Sequence, residues 1–354
     1  MCSKTILPGL LAGVMMSWSL GLWASPIPMA MVTVGNPGNV ADPADGYGAV
    51  GYPYKIGAYD VTLAQYTAFL NAVATTDTYG LYNTNMATNL NVAGISRTGS
   101  PGSYSYAVIG DGQRPVTYVT WYDAVRFTNW LTSGNTESGT YTITNGGNNS
   151  GTVIVPMPAQ RSVLSSSTSA RWYLPDENEW YKAAYYDPSL SGAGKYWLYP
   201  TRSNNPPSAD PPPGGANSAN YFGPNGYVLT QSTSNSPTQN YLTDVGAYIG
   251  SPSAYGTFDQ GGDVFQWNDL DPSLPSSVRG YRGGDFGGDS YLLAATTRFS
   301  ITPLFSNYTT GFRVAGNPAV PEPGCTALLL ICGTALGVRR VRRSRRHLIA
   351  EERA

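Results

Sequence analysis

Tyr255-Gly-Thr-Phe-Asp-Gln-Gly-Gly-Asp-Val-Phe-Gln-Trp267 is the stretch that decides how this chain folds. Aromatic residues stand on either side of a Gly pair, so the segment reads as short strand pieces broken by tight turns, and Val245 to Ala315 has the same character throughout. Three further islands belong with it: Arg171-Trp-Tyr-Leu-Pro-Asp-Glu-Asn-Glu-Trp180 upstream, then Arg282-Gly-Gly-Asp-Phe286 and Gly311-Phe-Arg-Val314 downstream. The upstream island carries a helix start. Asp176 and Glu179 have capping-box spacing after Pro175, and Trp180, Ala183 and Ala184 form one inner face.

Working outward, two more helices are expected. Thr62 is an N-cap candidate for a helix over 62–74 with Leu63, Tyr66, Phe69, Leu70 and Val73 at helical spacing. Trp121, Ala124, Val125 and Leu131 define a second over 121–132, and the third spans 176–185. Tyr54–Tyr59 and Pro115–Thr120 read as strands, the second because its residues alternate. Tyr141–Thr144 and Thr152–Val155 flank Asn145-Gly-Gly, which favours a hairpin turn there, in a surface excursion over 132–170. Arg202–Gly226, rich in Pro, Asn and Gly, is expected to be a long ordered loop that wraps the core. No internal repeat is evident.

In their order the four islands resemble the formylglycine-generating enzyme family, the sulfatase-modifying factors, whose usual forms are R-L-P-T-E-x-E-W, Y-G-L-x-D-M-x-G-N-V-W-E-W, R-G-G-S-W and G-F-R. Tyr59-Asp-Val-Thr62 with Tyr66 and Phe69, and Pro115-Val with Trp121, Asp123, Phe127 and Trp130, match two earlier family patterns. The resemblance implies an α+β domain over 32–316, the family's variant of the C-type-lectin-like fold. It is irregular and loop-rich, with about three principal helices around short twisted sheets.

Family enzymes oxidise a substrate cysteine through copper-binding cysteines placed just after the R-G-G island. Here the corresponding stretch, Gly287–Leu293, offers Gly, Asp, Ser, Tyr and Leu, and the chain's cysteines are Cys2, Cys325 and Cys332. A soft, anionic thiolate pair is what holds Cu(I), so no copper and no catalytic residue is expected. The one histidine, His347, lies in a basic tail, so Ser-His-Asp, Cys-His and His-based metal sites cannot form in the domain. The family's calcium elements correspond to Asp263 with Gln266 and to Asn220 with Tyr221, oxygen donors of the kind calcium takes. Asp259 with Asp263, and Asp285 with Asp289, sit in glycine-rich settings that favour Asx turns over acid–base pairs. Arg282, Arg298 and Arg313 are expected to brace loops through buried bidentate bonds. The aromatics between Tyr241 and Phe312 are expected mainly in the core, with carbohydrate stacking as the other use.

The two ends address the chain. Lys4, the apolar run Ile6–Trp23 and Ala24-Ser25 match a secretory signal peptide over 1–24. At the other end, Pro321-Glu322-Pro323 precedes the short apolar run Cys325–Val338 and then Arg339, Arg340, Arg342, Arg343, Arg345 and Arg346. This tripartite segment over 320–346 resembles a PEP-CTERM sorting tail, the signal read by exosortase systems in Gram-negative bacteria that make exopolysaccharide. It implies a processing enzyme of that type as partner and a transient membrane helix. Between the ends, residues 25–324 hold 13 Lys and Arg against 20 Asp and Glu, a net charge of −7, which disfavours nucleic acid. The combined expectation is an exported binding or structural module of the cell envelope or extracellular matrix, with a polysaccharide or envelope protein as partner. The alternative is a formylglycine-generating-type oxidase acting on a sulfatase cysteine.

Overall fold

The structure, a computed structural model, describes residues 27–192, 195–271 and 277–317; the expected signal peptide and sorting tail lie outside the described residues. In chain order the elements are β1 (Met31–Val34), β2 (Tyr54–Gly57), α1 (Leu63–Val73), α2 (Asn85–Thr88), β3 (Ile95–Thr98), β4 (Ser105–Val108) and α3 (Trp121–Ser133). There follow β5 (Thr142–Gly147), β6 (Ser150–Ile154), α4 (Pro158–Ser165), β7 (Arg171–Tyr173), α5 (Glu177–Tyr185), β8 (Phe265–Asn268), β9 (Arg279–Arg282), β10 (Phe299–Ile301), β11 (Thr310–Phe312) and β12 (Ala315–Asn317). The fold is α+β and loop-rich, as expected. No helix among the described residues is long and apolar enough to cross a membrane.

The three principal helices start where local chemistry dictates. Thr62 and Gln65, Thr120 and Asp123, and Asp176 and Glu179 each form reciprocal capping boxes at α1, α3 and α5. Gly134, in the left-handed region at φ 77°, ends α3. Tyr66 and Phe69 of α1 meet Phe127 and Trp130 of α3 and Phe312 of β11, with ring centroids 5.3–6.4 Å apart in edge-on, tilted and stacked contacts. This aromatic cluster is the centre of the core.

Two four-stranded sheets flank it. One has the order β1-β2-β12-β7, all antiparallel; the other has β10-β9-β8-β11, with β8 and β11 parallel. The islands 265–268, 279–282 and 310–312 therefore lie side by side, because the second sheet is built largely from them.

Two local expectations are corrected, and one strand had gone unmarked. Pro115–Thr120 is not a strand: Tyr118 has φ 60°, in the left-handed region, and Pro115 forms only an isolated bridge, to Thr62. The β5–β6 turn falls at Asn148-Asn149, since Gly147 pairs with Ser150, while Asn145 (φ 54°) lies at a register shift within β5. The leading segment contributes β1, a strand that pairs with β2 and that local pattern did not mark. Arg202–Gly226 is irregular as expected, and its isolated bridges, Ser208 with Ser218 and Gly223 with Gly226, order it.

Candidate functional site

The glycine stretch that follows Arg282-Gly-Gly-Asp-Phe286 borders an open groove of about 540 Å³. Gly287 and Gly288 form one wall; Tyr227, Phe265, Tyr281, Phe286, Phe305 and Tyr308 supply aromatic surface; Asn89, Asn91, Asn235 and Asn307 supply amides. The size is that of an ordinary small-ligand site. Phe265 and Tyr281 stack at 4.2 Å with ring planes 12° apart, a rigid floor set by the β8–β9 pairing. Tyr308 stands 45% exposed at the mouth. Ser290–Leu293 turns away as a single 3-10 turn that buries Leu293.

Asp285 is the one charged side chain among the described residues that line the groove. Its Oδ1 accepts from the Gly287 N–H at 2.7 Å, the Asx turn expected there. Burial pushes its carboxyl up to about 6, against the lowering effect of the Gly287 and Gly288 N–H groups. Asp289 does not join Asp285 in this turn; it simply precedes the 3-10 turn.

Behind the groove lies a fully buried polar centre. Gln266 Oε1 accepts from Trp180 Nε1 and Arg313 Nε, both at 2.7 Å, and its amide donates to the Asp259 carbonyl at 2.7 Å. Arg313 also donates to the carbonyls of Gly57 (3.0 Å) and Phe258 (2.8 Å) and pairs with Asp60 at 3.5 Å. Arg282 bonds Glu177 and the carbonyls of Ala295 and Thr297, and Arg298 reaches Glu177 at 3.4 Å. Arg282 and Arg313 are buried and brace loops, largely through backbone carbonyls; Arg298 departs from the expectation, being part exposed with a single ion pair among the described residues, to Glu177. A fourth arginine was not singled out by sequence. Arg161 of α4 bonds Glu179, Asp269 and the carbonyls of Pro156 and Leu174 at the heart of the fold.

The residues expected to hold calcium meet only in part. Asp263 and Asn220 come together: Asp263 Oδ1 accepts from Asn220 Nδ2 at 2.9 Å and from the Thr243 N–H at 3.1 Å, and Oδ2 accepts from Thr243 Oγ1 at 3.0 Å. Gln266 does not join them, because its carbonyl oxygen is filled by Trp180 and Arg313. The Tyr221 hydroxyl donates to the Pro207 carbonyl at 2.6 Å. Asn220, Asp259 and Asp263 instead line a cavity of about 10 Å³, room for one water-sized species, and Asn220 Oδ1 is buried without a partner. Burial pushes Asp263 up to about 8, reinforced by Asp259, which is itself pushed up to about 6. Two desolvated carboxyls and an orphaned amide oxygen are oxygen donors of the type a hard cation takes, but both Asp263 oxygens are already engaged by Asn220 and Thr243. Asp259, expected as a turn former, accepts from the Gly246 N–H at 2.6 Å and lines this cavity, which Gln266 does not. Pro321, Glu322, Pro323 and the arginines at 339, 340, 342 and 343 lie outside the described residues.

Comparison with known protein families matches residues 32–318 to the sulfatase-modifying factor enzyme 1-like domain. Among solved structures, CarF is 20% identical at a TM-score of 0.47, over 82% of this chain and 98% of that one. Variable protein 1 of Treponema denticola is 19% identical at 0.46, over 84% and 98%. PvdO from Pseudomonas aeruginosa is 18% identical at 0.41, over 82% and 92%. Comparison with curated proteins gave no match. With three of the four islands side by side in one sheet and a family match that covers most of its length, the chain belongs to the sulfatase-modifying factor family.

Proposed function

We propose that this protein is an exported binding module of the cell envelope or extracellular matrix that uses the family's groove to hold a glycan, without copper chemistry. One observation carries the reading. The groove beside Gly287 and Gly288 is open, and the described residues that line it offer aromatic rings and amides, with no thiol or imidazole among those described residues. Flat aromatic faces suit sugar rings, and amides suit hydroxyls. The processing tail would deliver the domain to the surface and release it there. A divalent cation at Asn220, Asp259 and Asp263 would brace the long 202–226 loop against the second sheet's turn.

Calorimetric titration of the purified protein with neutral and amino oligosaccharides tests the binding, and incubation with a C-x-P-x-R peptide under oxygen and copper tests the chemistry. Saccharide binding with no aldehyde product is expected. Aldehyde above a no-protein control, or no binding by any saccharide, refutes the proposal.

A further inference from the structure

The glycan reading does not use the groove's single charge. Asp285 occupies the position where the family pattern has a neutral serine, and it is 9% exposed. Backbone N–H groups of Gly287 and Gly288 hold it in place, but no cationic side chain pairs with it among the described residues. A carboxylate so far removed from water is costly unless a positive group completes it. The groove offers that group a second attraction in its aromatic faces, with Tyr308 exposed at the mouth and the Phe265–Tyr281 stack below. The phenols of Tyr281 and Tyr308 are both pushed up, burial first and Asp285 adding to it, so their electrostatics register the same carboxylate.

We propose that the groove selects an amino sugar with a free, protonated amine: the ammonium on Asp285, the sugar ring against the aromatic wall. The inference rests on the glycan reading and narrows it. An acetylated amine brings no charge and adds bulk beside the Asp285 oxygen, so de-N-acetylated hexosamine oligomers should be preferred over their acetylated counterparts. At neutral pH the carboxyl, pushed up to about 6, is ionised. Tyr227, Tyr281 and Tyr308 are the other titratable groups that line the groove, and none carries positive charge.

The full chain is titrated by calorimetry with oligomers of glucosamine, of N-acetylglucosamine and of glucose, and with lysine amide as a non-sugar amine. Glucosamine oligomers should bind about tenfold or more tighter than the acetylated ones, as a charge-assisted bond requires. Asp285→Asn, which keeps the acceptor for Gly287, should abolish the difference. The preference should also shrink as pH falls from about 7 to about 5 and the carboxyl takes a proton. Should Asp285→Asn fail to fold by its thermal melt, the pH series on the parent chain and Tyr308→Ala decide; Tyr308→Ala alters an exposed ring and should weaken all oligomers together. Equal binding of free and acetylated oligomers overturns the inference and leaves the glycan reading standing. Binding of lysine amide with no oligosaccharide bound overturns both.

Discussion

Replacing Arg161 with Met should remove a large share of the stability of this domain. The guanidinium is completely buried and faces three carboxylates: Glu179 at 2.8 Å, Asp269 through a short bond, and Asp176 at 3.8 Å. Methionine fills much of the volume but leaves those acids without a cation. Glu179 keeps the Tyr52 hydroxyl (2.9 Å) and the Asp176 N–H (2.8 Å), and Asp269 keeps Trp121 Nε1 (2.9 Å) and the Tyr141 hydroxyl (2.6 Å). The loss is thus of charge compensation more than of hydrogen bonds. Breaking one side of a buried pair costs about 3–5 kcal/mol, against a total of about 5–15 kcal/mol for a typical domain. Urea unfolding should show the midpoint falling with little change in slope. Adding Asp269→Asn to the variant should recover part of the loss, since the two sites are coupled. A loss below about 1 kcal/mol, or a double variant no more stable than the single one, would refute the view that Arg161 compensates this acidic core.

Other outcomes are equally direct. Gly262 has φ 86° and packs against the Asn220 carbonyl, which an added Cβ would overlap, so Gly262→Ala should lower stability by more than about 1 kcal/mol in the same urea assay. Burial pushes Asp263 up to about 8, Asp123 to about 7 and Asp259 to about 6. Unfolded carboxyls titrate near about 4, so the native state binds more protons across this window and its stability is lost as pH rises through it. In EDTA the melting temperature should therefore be higher at pH 5.5 than at pH 8.5; the reverse order would contradict these shifts. Millimolar calcium at pH 8 should raise the melt by mass action on the native state, and Asp259→Asn should reduce that gain. An unchanged melt removes the cation from the 10 Å³ cavity.

The parts of the fold that were legible in the sequence are those encoded locally. The α1, α3 and α5 starts need only a side chain and a backbone N–H three residues on, and each capping pair sits within a four-residue window. What was not legible depends on distant partners. β1 exists because it pairs with β2 across a loop, and Tyr118 breaks an alternating run only because its left-handed backbone is anchored by the Asn307 carbonyl. The site divides in the same way. The groove wall at Gly287 follows from the island motif. The fate of Gln266 does not, because its partners Arg313 and Trp180 lie 47 and 86 residues away. Asp285 was read as a turn residue and is one; that its carboxylate also faces a groove needed Phe305 and Tyr308 to be brought alongside.

The position of β12 has a consequence for when this chain can fold. The last described strand is not at an edge; it is inserted between β2 and β7, and Ala315 is paired on both sides, with Ile56 and Tyr173. Until residue 317 is available, that sheet is two unconnected halves, β1-β2 and β7, each with an open edge. A chain still emerging from a ribosome therefore cannot complete this sheet until β12 has been made, and the sheet closes only when that strand slides home. Cutting the domain short by those three residues would remove a keystone rather than a frayed end and leave β2 and β7 unjoined.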